Sequence, residues 1–73
     1  MKYIRHKMTG FYTFPVGVSH KDFALNNYLH RDDIVGAGYI SNGHCHDRSV
    51  SLGIAAGDCD TEDLRKQMQS EAL

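Results

Sequence analysis

The sequence predicts an α+β fold: a small ββαββα domain with one antiparallel sheet and two helices packed on one of its faces. Three observations carry that prediction. Asn42-Gly43 lies between two runs rich in β-branched and aromatic residues, the strongest short-range hairpin signal a chain can hold. A second pair of such runs, KYIRH and FYTFPV, stands near the N-terminus. Each pair is followed by helix-start residues, Ser19 after the first and the acids around Asp60 after the second. At 73 residues the chain makes one domain, near the lower limit for a self-sufficient core. Its hydrophobic content of 41% and charged content of 23% are those of a globular chain and argue against disorder.

In chain order, the first hairpin joins residues 2–6 to residues 11–16 through Lys7-Met8-Thr9-Gly10. Pro15 has no N–H to give to a ladder, so it marks a strand end or a sheet edge. Ser19 is a good N-cap, Asp22 follows three positions later, and Val18 and Phe23 are spaced as a hydrophobic staple. The first helix is expected over residues 20–29. Asn26 and Asn27 are poor helix formers, so docking must hold it.

A two-residue type I′ turn at Asn42-Gly43 sets Ser41 opposite His44, Ile40 opposite Cys45 and Tyr39 opposite His46. Continued down the hairpin, the same register sets Ala37 opposite Arg48 and Val35 opposite Val50. Strand alternation then gathers Val35, Ala37, Tyr39, Val50 and Leu52 on the core face, ending in His44, His46 and Arg48 at the tip. Ile34, Gly36, Gly38, Ile40, Cys45, Asp47, Ser49 and Ser51 take the other, half-solvated face. A longer tip loop would shift these partners, and a slip of one residue would reverse every facing. The pattern leaves the order of strands in the sheet open. The second helix is expected to start near Asp60 or Thr61 and run to Gln69 or beyond, with acids at its positive end. Its apolar stripe is thin (Leu64, Met68 and Ala72), as in a helix that is peripheral, frayed or waiting for another chain.

Charge is unevenly divided although the net value is −1. Lys2, Arg5, Lys7, Lys21 and Arg31 stand against Asp22 alone in the first 31 residues, and eight acids against Arg48, Arg65 and Lys66 in the rest. Packing of the halves against each other would cancel this locally. Cys45 and Cys59 do not form a disulfide framework, and the N-terminus has charges without the apolar run of a secretory signal. With no stretch of membrane-spanning length, the expectation is a cytoplasmic protein with reduced thiols and no membrane contact.

The most chemically suggestive stretch is His44-Cys45-His46-Asp47. His44 and His46 point the same way on a strand, a spacing that can place two imidazoles on one metal. Zinc would need one or two further ligands, with Cys59, Asp58, Asp60 and His6 as the candidates. Cys45 lacks a base and an orienting group on its own face, so a nucleophile is not expected. His30-Arg31-Asp32, Gly36-x-Gly38 and Asp58-x-Asp60-x-Glu62 resemble catalytic-loop, phosphate-loop and calcium-loop fragments, but each lacks the residues that complete its motif. Tyr3, Arg5, Lys7 and Tyr12 could offer stacking and charge to a nucleic acid, against which stands a pI of about 6.5.

No family resemblance is legible in these residues. The expected function is a non-catalytic interaction module, not an enzyme and without a cofactor, that self-associates as a homodimer and binds a further protein partner. A small accessory protein of the kind phages encode is one form this would take. The expected binding surface is the hairpin tip: Tyr39, His44 and His46, with Arg48 as the anion-recognising group. A metal-binding protein using His44 and His46, with zinc as the ion, is the alternative. A small nucleic-acid-binding protein is the second.

Overall fold

Three antiparallel ladders build the main sheet. In the computed structural model, which describes residues 1–71, β1 (Lys2–His6) pairs on one side with β2 (Gly10–Phe14) and on the other with β3 (Ile34–Ser41). β3 in turn pairs with β4 (His44–His46), giving the order β2-β1-β3-β4. The fold is α+β, and its elements follow the predicted ββαββα order except for two further short strands before the second helix.

Local chemistry accounts for the turns. Gly10 takes a φ of 89° where β2 leaves its turn, and β2 stops one residue before Pro15. Asn42 and Gly43 have φ values of 53° and 79°, as a type I′ turn requires. The expected tip pairs Tyr39–His46, Ile40–Cys45 and Ser41–His44 all form. Helix α1 (His20–Asn26) is capped by Ser19, whose hydroxyl accepts the Asp22 N–H at 3.0 Å. It ends three residues earlier than expected. The Tyr28 and Leu29 N–H groups bond back to the Leu25 and Ala24 carbonyls, the paired closure of a Schellman motif. Tyr28 holds the left-handed position, φ 58°, that such motifs usually give to glycine.

Below the tip the long hairpin does not continue. Asp47 takes a φ of 62° and turns the chain out of the sheet. β5 (Arg48–Ser49) then pairs with β6 (Ile54–Ala55) as a separate two-stranded sheet. The pairs Ala37–Arg48 and Val35–Val50 are therefore not made. Val50 is 84% exposed at the turn of the small sheet, whereas Leu52 reaches the core as expected. Val35 also leaves the core face. The β1–β3 register passes from Arg5–Gly36 to His6–Ile34, so Val35 is an unpaired bulge residue. The bulge reverses the alternation beneath it, burying Ile34 and leaving Val35 49% exposed.

Strand alternation separates the two sides of the sheet. Ile4, Tyr12, Phe14, Ala37 and Tyr39 share one side, where α1 lays Phe23 and Ala24 against them. Phe23 stacks on Phe14 with ring centroids 4.1 Å apart, and Ile34 and Leu52 close the cluster. Tyr3, Arg5, Phe11, Thr13, Gly36, Ile40 and Cys45 point the other way and meet α2 (Asp60–Glu71). The helices thus cover opposite faces of the sheet rather than one face. The cause is polar: the bonding partners of Asp60 and Asp63 are Tyr3 and Arg5, which lie on the side away from α1. Within the α2 stripe Leu64 is buried and Met68 exposed; Ala72 lies outside the described residues.

Candidate functional site

At the hairpin tip the structure joins some of the expected residues and parts others. Tyr39 and His46 face each other across the β3–β4 ladder, their rings stacked 6.1 Å apart. His20 meets the Tyr39 ring edge-on and the Lys2 ammonium lies 5.9 Å above it. The His46 ring is held on both sides, Nδ1 3.0 Å from Asp47 Oδ2 and Nε2 3.1 Å from Ser41 Oγ. His44 shares the side of His46 and is exposed. Arg48 has left with β5, where it pairs with Ala55. Tyr39, His46 and His44 make one surface, and Arg48 stands in the second sheet. Among the described residues no three His, Cys, Asp or Glu side chains come together as a metal-holding group.

Buried near this aromatic column, His20 bonds the Gly38 carbonyl at 2.9 Å. Burial pushes its imidazole below the usual histidine range, with the Lys2 charge adding in the same direction. It is a neutral, structural histidine.

The opposite face holds a constellation that the sequence reading did not foresee. Asp60, 1% exposed, accepts hydrogen bonds from the Tyr3 hydroxyl, from Arg5 Nη1 at 2.9 Å and from the Gly57 N–H at 2.8 Å. Arg5 Nη2 reaches Asp63 at 2.6 Å. Burial, and then the neighbouring Asp60, push the Tyr3 hydroxyl far above the usual tyrosine range, so it remains a donor. Burial and Asp60 likewise raise the Cys45 thiol, which keeps it protonated and unreactive. Glycine makes room for the carboxylate: a Cβ on Gly36 would overlap Asp60 Oδ2, and one on Gly57 would stand 2.9 Å from Oδ1. This explains Gly36 without any phosphate. Gly38 is explained by the backbone of β4, since its Cβ would overlap the His46 carbonyl. Beside the carboxylate opens a cleft of about 850 Å³, bounded by the β1–β2 turn and the start of α2. Its cations are already matched, Arg5 to Asp60 and Asp63, and Lys7 to Asp33 at 3.0 Å. Tyr3, Arg5, Lys7 and Tyr12 do not form one nucleic-acid surface. Tyr3 is buried, the two cations are paired, and Tyr12 packs edge-on against Phe23 on the other side of the sheet.

The sheet ends in two unlike edges. On β4, the outward Cys45 N–H donates to Thr61 Oγ1 at 2.9 Å, so α2 caps that edge. On β2, Phe11 and Thr13 belong to pairs whose main-chain groups turn away from β1, given the alternation of an antiparallel ladder. Among the described residues their N–H groups find only Gln67 Oε1, 3.5 Å from the Phe11 nitrogen. From Met8 to Val18 no residue carries a charge. That uncharged run, read together with a strand at an edge, is the signal that could have singled out β2. Phe11 and Thr13 also line an apolar groove of about 400 Å³ with Met1, Ile40, Leu64 and Met68.

Comparison with protein-family models finds no match, and comparisons with curated proteins and with solved structures likewise find none. No helix among the described residues is long and apolar enough to cross a membrane.

Proposed function

We propose that this protein is a non-catalytic interaction module that works as an assembly of its own copies, a homodimer in the simplest case. The observation that carries the reading is the contrast between the sheet edges. An open, uncharged strand edge is a template for pairing with another chain, and proteins that remain monomers blunt such edges with charge, proline or a covering element. β4 has its covering element in α2; β2 carries neither charge nor proline along Gly10–Phe14, and α2 reaches its edge only through Gln67, 3.5 Å from the Phe11 nitrogen. A core near the lower size limit adds a reason to self-associate. The tip surface of Tyr39, His44 and His46 lies on β3 and β4, two and three strands away from β2, and is left free for a further partner. Cys45 and Cys59 are both free, which suits the reducing cytoplasm where we place the protein.

Light scattering across a concentration series tests the reading. A mass of two chains at micromolar concentration is the expected result, and a single-chain mass at every concentration would overturn it.

A further inference from the structure

We propose that two copies join through β2 in one particular antiparallel register, with Phe11 opposite the partner's Thr13 and Tyr12 on the two-fold axis. This rests on the self-association proposed above and adds the surface and its geometry.

The main chain selects the register. Phe11 and Thr13 are the β2 residues whose N–H and C=O groups face outward. Setting Phe11 against the partner's Thr13 lets each pair exchange both of its bonds, and the two-fold axis repeats the exchange. Centring on Thr13 instead would set Phe11 against Pro15, which has no N–H to donate. Centring on Phe11 would set Thr13 against Thr9, which lies in the β1–β2 turn rather than in the strand. Only the Tyr12-centred register uses every outward group within the strand. The one bond given up is the Phe11–Gln67 contact, which at 3.5 Å is at the limit of a hydrogen bond.

Side chains agree with the main chain. A second copy brings the same residues to the axis, so any charge on β2 would meet its like. The chain has none between Met8 and Val18. On the α2 side, Phe11 and Thr13 are at once the edge and a wall of the apolar groove. Pairing joins the grooves of both copies across the axis, where Phe11 of each copy covers surface that is open in a single chain. The resulting sheet runs β4-β3-β1-β2 and then the same order reversed.

The test combines mass with cross-linking on the full chain. Thr13→Pro removes an outward N–H without breaking a bond inside the chain, and Thr13→Lys puts a charge at the interface. Both should weaken dimerisation roughly tenfold or more, with the thermal transition and circular dichroism of the folded chain retained. In a Cys45→Ser, Cys59→Ser background, Tyr12→Cys should form a disulfide-linked dimer on mild oxidation. Directly opposed residues of this kind stand about 4.5 Å apart at Cα, within disulfide reach. Thr13→Cys should not link to its own copy, because it faces Phe11. A wild-type dimer indifferent to both Thr13 substitutions would overturn this interface while leaving self-association standing. Stronger cross-linking through Thr13→Cys than through Tyr12→Cys would overturn the register. A wild-type chain that is monomeric throughout would overturn both readings together.

Discussion

The two faces of the sheet are stabilised by different physics. Under α1 the contact is aromatic and dry: Phe14, Phe23, Ile4 and Ala24 pack with Ile34 and Leu52, and the one polar ring among them, His20, is neutral and bonded to a carbonyl. Under α2 a single carboxylate organises the contact, with Asp60 bound by Tyr3, Arg5 and Gly57 and fitted into space left by Gly36. The first helix needs volume and the second needs partners. A small domain can thus fix a thinly apolar helix by satisfying one buried charge, provided that both carboxylate oxygens find donors.

Substitutions on each face can break this contrast. Phe14→Ala should be the most damaging, at about 3–5 kcal/mol by denaturant titration, because it removes a stacked ring and leaves a cavity. Asp60→Ala should cost about 3 kcal/mol, since it strands the buried Tyr3 hydroxyl and the Gly57 N–H and leaves Arg5 with Asp63 alone. If the α2 face were held by apolar packing instead, Asp60→Ala would be nearly neutral. Gly36→Ala should cost about 1–3 kcal/mol by driving a methyl group into the carboxylate. Gly17→Ala, with nothing within 4 Å of the added carbon, is its neutral control.

Acid sharpens the comparison from the α1 side. His20 is held below its ordinary value near 6.5, so both states are neutral at high pH and the unfolded chain takes up the proton first. Its contribution to stability is therefore intact above that value and is lost as pH falls through it towards the folded-state value. Thermal melts between pH 7 and 5 should show the decline, and His20→Gln should flatten it. The smallest effect belongs to the end of α1. Tyr28, 96% exposed at a positive φ, makes Tyr28→Gly stabilising by roughly 0.5–1 kcal/mol in the same melts.

Several features of the site followed the same division. The pairing of Tyr39 with His46 was legible because a two-residue turn dictates its nearest partners. Arg48 was misplaced because Asp47 turns the strand out of the sheet one residue after the last of those pairs. The unguarded β2 edge was present in the residues as an uncharged run. It acquired meaning only when the strand order placed β2 on the outside.

By itself the sequence determined what depends on a few neighbouring residues: the Asn42-Gly43 turn and the register next to it, the Ser19 cap, the strand stop at Pro15 and the α+β order of elements. Such signals are local because φ preferences, caps and missing donors act within one turn of chain. The tertiary structure alone decided which face each helix covers, that Val35 bulges out and Ile34 turns in, and which sheet edge is capped. Those outcomes rest on partners far apart in the chain. Tyr3 and Asp60 are 57 residues apart, and neither residue records in its own neighbourhood that the other will bind it.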